Sequence, residues 1–192
     1  HAYQAAGTYT LTLTVTDNNN CVATTTVSIA EPTLLIANIS PPASICTGQS
    51  TTLSTMGQGG TPNYTYQWSA GQNTSTINQQ PTSTTVYSAT VTDNNGCSAM
   101  VTTTITVHPL PNPSFSSTDT TGCPTLCITF TNTTPSTINA AWQFAAGSTN
   151  SANGNIVNNC YSLPGVYSVS LTVTDSNGCI NTLIRNNFIT VY

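Results

Sequence analysis

The sequence predicts an all-β chain of small antiparallel sandwiches in tandem. Three observations predict it: a repeated Thr-Val-Thr-Asp segment, two-residue alternation before each copy, and cysteines placed in step with the repeat. The copies are Thr14-Val15-Thr16-Asp17 with Cys21, Thr90-Val91-Thr92-Asp93 with Cys97, and Thr172-Val173-Thr174-Asp175 with Cys179. Their aspartates lie 76 and 82 residues apart, too far for one rung of a solenoid and about the length of a small sandwich domain. One repeat is therefore one domain. β-branched residues dominate, no apolar run has a 3.6-residue period, and Pro and Gly punctuate the chain, so no helix is expected.

Residues 9–17 alternate with period two: Tyr9, Leu11, Leu13 and Val15 point one way and the threonines between them the other. That is a strand with one face on a core and one in water. The second repeat keeps the pattern in Tyr87, Ala89 and Val91, and the third in Tyr167, Val169, Leu171 and Val173. Each strand runs into a turn such as Asp93-Asn94-Asn95-Gly96, where Asn and Gly accept positive φ and Asp bonds nearby backbone. The returning strands are expected over residues 22–29, 98–107 and 180–191.

Boundaries fall at Glu31-Pro32-Thr33 and His108-Pro109-Leu110-Pro111, where proline interrupts the ladder and stiffens a short connector. Three segments follow: 1–32, the last hairpin of a domain; 33–109, a full sandwich; and 110–192, another. Two strands cannot bury a core. The strands missing from 1–32 are expected upstream of His1, as in a longer array, or from another chain.

Only six of the 192 residues are charged: Arg185, Asp17, Glu31, Asp93, Asp119 and Asp175. Thr, Ser and Asn take over the surface, at 40, 20 and 21 residues. Such a surface is wetted but offers almost no electrostatic barrier between like copies, so self-association is the expected partnership. One arginine cannot neutralise a phosphate backbone, which excludes nucleic acid as a partner. No apolar run approaches the ~18 residues of a spanning helix, so no membrane insertion is expected. With one Arg and no Lys, the chain offers trypsin-like proteases almost no site, which suits exposure outside the cell.

Seven cysteines without C-x-x-C pairs or zinc-spaced histidines point to disulfides, hence to a secreted or cell-surface location. Cys46 and Cys123 each precede the first core strand of their segment, and Cys97 and Cys179 each follow its last turn. The repeat thus pairs Cys46 with Cys97 and Cys123 with Cys179. Cys127 and Cys160 form a further pair, and the partner of Cys21 is expected upstream of His1. Each ~50-residue closure contributes about 4 kcal/mol in the chain-entropy model.

These residues resemble a known family. His1-Ala2-Tyr3, Gly7, Tyr9 and residues 11–17 resemble the last third of a PKD (polycystic kidney disease) domain. Residues 112–192 resemble a complete one through Cys123-Pro124, Phe130-Thr131-Asn132, Trp142-Gln143-Phe144, Gly147, Tyr161, Gly165-Val166-Tyr167 and residues 171–175. Residues 33–109 are similar to the immunoglobulin-like repeats of Bacteroidota surface proteins through Cys46-Thr47-Gly48, Leu53, Tyr66-Gln67-Trp68, Tyr87 and residues 91–97. The resemblance implies immunoglobulin-like (PKD-type) sandwiches in a long adhesin exported across an outer membrane, by type IX secretion as gliding adhesins are. Where the family carries Gly-Asp-Gly after Trp-x-Phe, this chain has Ala145-Ala146-Gly147, so a polar or metal role at that turn is in doubt.

The remaining chemistry-bearing residues favour structural roles. Trp68 and Trp142 could stack on sugars but fall on the third strand of a sandwich, where Trp is a core residue. Asp17, Asp93 and Asp175 lie in turns without the clustered oxygens that Ca²⁺ requires. His1 and His108 have no nucleophile or acid partner, and no two acids are paired for hydrolysis, so neither catalysis nor a cofactor is expected. Asn38, Asn63, Asn73 and Asn132 begin Asn-x-Ser/Thr sequons of the kind this composition produces by chance, and Asp119-Thr120-Thr121 resembles the O-glycosylation signal of Bacteroidota, at Thr120. The sequence thus reads as a non-catalytic structural segment of a large adhesin, assembling into an extracellular filament or sheath. The alternative is an accessory module that holds surface glycans beside an enzyme.

Overall fold

A computed structural model describes residues 5–145 and 147–192 of the chain. His1 and the Ala146 of the departing turn lie outside the described residues. Every regular element among the described residues is a β-strand. They divide into two compact units: His1–Ala43 with Ser50–Thr106, and Ser44–Gln49 with Val107–Tyr192. This partition differs from the sequence division in two places. The first hairpin belongs to the first unit, and residues 44–49, which include Cys46, belong to the second.

In the first unit β1 (Gly7–Thr16) and β2 (Val22–Glu31) form an antiparallel ribbon, in register from Gly7 opposite Glu31 to Thr16 opposite Val22. The alternation expected for burial is present, yet its apolar face is open: Leu13 is 60% and Val15 56% exposed. The reason is that a ribbon of two strands supplies no opposing layer. The next sandwich comprises β3 (Ile36–Ile39), β4 (Ala43–Cys46), β5 (Thr51–Gln58), β6 (Thr65–Trp68), β7 (Thr76–Gln79), β8 (Thr85–Thr92) and β9 (Ser98–His108), with β4 from Ser44 and β9 from Val107 belonging to the second unit. Its sheets run β3-β5-β7 and β4-β9-β8-β6. Leu53, Trp68, Ile77 and Ile105 are buried together with Tyr87, Ala89 and Val91, the last three as the period-two alternation of β8 requires.

The second unit comprises β10 (Phe115–Ser117), β11 (Thr121–Gly122), β12 (Leu126–Asn132), β13 (Thr137–Phe144), β14 (Ser151–Asn153), β15 (Ile156–Tyr161), β16 (Gly165–Asp175) and β17 (Ile180–Val191). One sheet runs β10-β12-β15 and the other β11-β17-β16-β13-β14. All pairs are antiparallel except β11 beside β17. Val169, Leu171 and Val173 of β16 project into a core shared with Ile128, Phe130, Trp142 and Ile189. Aromatic rings fill its centre: Phe115 meets Trp142 edge-on at 5.2 Å and Phe188 at 5.4 Å. The chain's lone cation is used here too, since the Arg185 guanidinium lies 4.3 Å from the Phe115 ring centre and 4.9 Å from that of Phe188.

Candidate functional site

Both tryptophans are core residues rather than platforms. Trp68 is 2% and Trp142 1% exposed. Each indole is closed off by a hydrogen bond from Nε1 to a carbonyl, that of Thr74 at 2.8 Å and that of Gly154 at 2.9 Å. A buried indole with its one donor satisfied has no face left for a sugar.

The three aspartate turns are the same structure built three times. The aspartate N–H donates to the cysteine carbonyl at 3.0 Å for Asp17 and Cys21, 2.9 Å for Asp93 and Cys97, and 3.0 Å for Asp175 and Cys179. The aspartate Oδ1 accepts the cysteine N–H at 2.8, 2.9 and 2.9 Å, and also the N–H of Asn19, Asn95 and Asn177. The residue before each cysteine has positive φ: Asn20 at 62°, Gly96 at 85° and Gly178 at 78°. Only Gly and Asn enter that region at small cost, which is why the sequence ends each turn on one of them. The carboxylates are thus engaged by their own backbone. Among the described residues no three His, Cys, Asp or Glu side chains come together to hold a metal ion.

Asp93 is bound most completely, because its Oδ2 also accepts the Thr61 N–H at 2.9 Å. That bond, more than those from Cys97, Asn95 and Gly96, holds the carboxyl below the usual carboxylate range against the opposing effect of burial. A lowered folded pKa contributes stability that is complete above the unfolded value near ~4 and is lost as pH falls through the folded value. Asp93→Asn is therefore expected to lower the melting temperature at pH 7, with the gap to the parent protein narrowing below about pH 4. Thermal unfolding at both pH values measures it, and a gap that stays constant on acidification refutes the assignment.

The cysteines depart from the expected pairing. Cys46 is bonded to Cys179, with Cα atoms 5.6 Å apart, and Cys127 to Cys160. Cys97 and Cys123 are free and exposed, as is Cys21. Cys46–Cys97 and Cys123–Cys179 are corrected for a simple reason of strand length. Cys97 precedes the start of β9, whereas the residue after Cys46 donates its N–H to His108 at the end of that strand, at 2.9 Å. The 11 residues of β9 separate those ends by about 33 Å, against the ~7 Å that a disulfide tolerates. The same holds for Cys123, which follows the Gly122 paired with Val191 at the far end of β17, while Cys179 precedes its start. Cys127 and Cys160 meet because β12 and β15 place them directly opposite one another.

One polar residue in the second unit was not singled out by its sequence. Asn159 is fully buried, and its Oδ1 accepts hydrogen bonds from Ser148 Oγ and the Thr149 N–H, each at 3.0 Å. It thereby holds the loop after β13. A Cβ on Gly147 would lie 2.3 Å from its Nδ2, so only glycine lets the loop approach this closely. The available signal was parity: Asn159 shares the inward face of β15 with Val157 and Tyr161. Thr120, the glycosylation candidate, is exposed beside β11, and its carbonyl accepts the Thr190 N–H at 2.8 Å.

Comparison with known proteins gives the same architecture. Residues 106–191 match the family model of the PKD domain. No curated protein matches the chain. Among solved structures, a Ca²⁺-stabilized adhesin that helps an Antarctic bacterium reach out and bind ice is similar at 12% identity and a TM-score of 0.53. The match covers 96% of this chain and 57% of that one. The N-terminal eight Ig domains of Down Syndrome Cell Adhesion Molecule match at 12% identity and a TM-score of 0.45, over 100% of this chain and 28% of that one. Murine CEACAM1b matches at 14% identity and a TM-score of 0.35, over 83% of this chain and all of that one. With its paired sheets the chain is an all-β tandem of immunoglobulin-like sandwiches, of which residues 106–191 match the PKD domain.

Proposed function

We propose that this chain is a non-catalytic structural segment of a secreted or cell-surface adhesin, with residues 33–109 and 110–192 as successive sandwich modules. One observation carries the reading: the residue types that would perform chemistry are engaged in holding the fold. The tryptophans are buried and capped, the turn aspartates bind their own backbone, the arginine lies over two phenylalanine rings, and four cysteines are cross-linked. What remains outside is rich in Thr, Ser and Asn, carries almost no charge and includes exposed apolar residues such as Leu13, Leu34 and Met100, a surface suited to contact with like repeats. The disulfides fit an oxidising, extracellular compartment, and a Ca²⁺-stabilized adhesin that helps an Antarctic bacterium reach out and bind ice is similar in fold. Export by type IX secretion, a gliding-adhesin context, contacts with surface glycans and modification at Thr120 belong to the same reading. The accessory glycan-holding alternative loses its two stacking residues.

Assembly into a filament or sheath is the specific consequence. Electron microscopy of the purified chain at physiological salt is expected to show multimeric assemblies that form in the presence of reductant as well as in its absence. Dispersed monomers at high concentration would overturn it.

A further inference from the structure

The second and third repeats differ at one sheet edge. The third has the sheet β11-β17-β16-β13-β14 and the second β4-β9-β8-β6, so β6 is the counterpart of β13 and no strand stands where β14 does among the described residues. The registers fix the equivalence: Trp68 lies opposite Ala89 as Trp142 lies opposite Leu171, each of these two residues before the Val of a Thr-Val-Thr-Asp segment. Tyr66 therefore holds the place of Ala140. The cause of the difference is length, since residues 69–75 join β6 to β7 whereas 145–155 join β13 to β15 and have room for a further strand. In the third repeat the Ala140 carbonyl accepts the Gly154 N–H at 2.9 Å, and β14 pairs with residues 141–143. In the second, the Ser69 N–H donates to Ser88 at 2.9 Å, so Tyr66, of the opposite parity, turns its N–H and carbonyl away from β8 and off the sheet. The Trp68 N–H points the same way and is taken by the Gln72 carbonyl at 2.9 Å. A cleft of about 490 Å³ opens at this edge, lined by Tyr64, Thr65, Tyr66, Gln67, Asn73 and Thr92.

We propose that the β6 edge pairs with the same edge of a second copy of the chain, antiparallel, with Thr65 of one copy opposite Thr65 of the other across a two-fold axis. The register follows from what the edge leaves open. Trp68 is already bonded to Gln72, so pairing is confined to residues 64–66. Centring it on Thr65 sets Tyr64 of each copy opposite Tyr66 of the other, both of the parity that faces the gap. A two-fold contact requires a surface that complements itself. This edge does so because its outward side chains, Thr65 and Gln67, are exposed and uncharged, and the chain has no lysine with which to guard an edge. The carboxylate at this corner, Asp93, is buried and bonded to the Thr61 and Cys97 N–H groups, so it does not repel its counterpart. The half-buried Tyr64 and Tyr66 become cross-strand neighbours and cover one another. One such contact falls below the ~1,200 Å² of a stable interface; it is weak between two single chains and effective where many copies are held together. The inference rests on the self-association of the functional reading and names the surface that performs it.

The test is analytical sedimentation of the full chain, with the exposed thiols of Cys21, Cys97 and Cys123 capped by iodoacetamide, beside the variants Thr65→Lys and Thr65→Glu. Concentrations up to ~1 mM bring a weak contact into view. The parent is expected to shift reversibly toward a dimer. Each variant sets like charges against one another at the axis and is expected to associate about tenfold more weakly. An equimolar mixture of the two sets Lys against Glu and is expected to regain the parent's association. Thr65 is exposed and its hydroxyl reaches the Thr92 carbonyl only at 3.4 Å, so both variants are expected to melt as the parent does. Variants that associate like the parent overturn the inference and leave the functional reading standing, with its contacts elsewhere on the surface. A mixture that fails to recover overturns it too. A parent that stays monomeric over the whole range overturns it together with the filament. Should that monomer shift its Thr65 and Tyr66 amide resonances on addition of a synthetic peptide of residues 149–155, which contains β14, the edge belongs to a foreign strand rather than to a second copy.

Discussion

Trp142→Ala is expected to lower the stability of the second unit by about 3–5 kcal/mol, a large share of the ~5–15 kcal/mol that a domain holds in total. The indole is packed among Phe115, Phe130 and Phe144, with ring centres 5.2, 5.8 and 6.3 Å away. Truncation opens a void in the middle of that cluster and strips the Gly154 carbonyl of its donor at once. Trp142→Phe separates the two effects, since it keeps a ring in place and loses the hydrogen bond. Its expected cost is smaller, about 1–2 kcal/mol. Urea unfolding followed by circular dichroism measures both. A cost below about 1 kcal/mol for the alanine variant would show that the ring is not a core element. Loss of glycan retention in a variant that stays fully stable would return the carbohydrate reading to the front.

How far the sequence carried the structure depends on how local each feature is. The hairpins were legible because both signals are short-range: Val169, Leu171 and Val173 alternate with threonine or serine, and Asp175-Ser176-Asn177-Gly178 has the residue types its turn demands. All three of those apolar residues are fully buried. The same alternation in β1 did not bring burial, because a face is covered by strands elsewhere in a sandwich and alternation says only which face is available. The three turn aspartates were read rightly as turn residues for the local reason again: a carboxylate two and four residues before the N–H groups it accepts needs no tertiary partner.

Cysteine pairing failed as a sequence inference because it turned on a quantity the repeat does not contain. Equivalent position in two repeats does not mean proximity within one, because Cys46 and Cys97 sit at opposite ends of the strand they share as a neighbour. Cys127 and Cys160 differ in kind, being opposite residues of adjacent strands, for which register alone sets the distance. The role of Asn159 is not legible in the sequence for a related reason. A buried asparagine is costly unless its partners are supplied, and those partners, Ser148 and Thr149, come from a loop that has no regular pattern to read.

The Cys46–Cys179 bond carries the largest single expected effect. It closes a loop of 133 residues, worth about 5 kcal/mol in the chain-entropy model, against about 3.7 kcal/mol for the 33-residue separation of Cys127 and Cys160. Cys46→Ala combined with Cys179→Ala removes the bond without creating a new thiol, and urea unfolding is expected to show a loss approaching that figure. The mechanical consequence is larger in proportion. Under force applied at the two ends, the bonded chain cannot pay out the residues between Cys46 and Cys179, a length of about 45 nm at ~3.4 Å per residue. The Cys127–Cys160 bond lies inside that loop and keeps its 33-residue span closed in the double variant, so single-molecule pulling is expected to give a final extension shorter by about 34 nm for the oxidised parent than for the double variant. Equal extensions would mean that the bond carries no load and would remove the argument for a mechanical role. A difference of the expected size would establish that most of the chain is held back from extension by one covalent link, which is the property a load-bearing repeat needs and one that hydrogen-bonded strands alone do not provide.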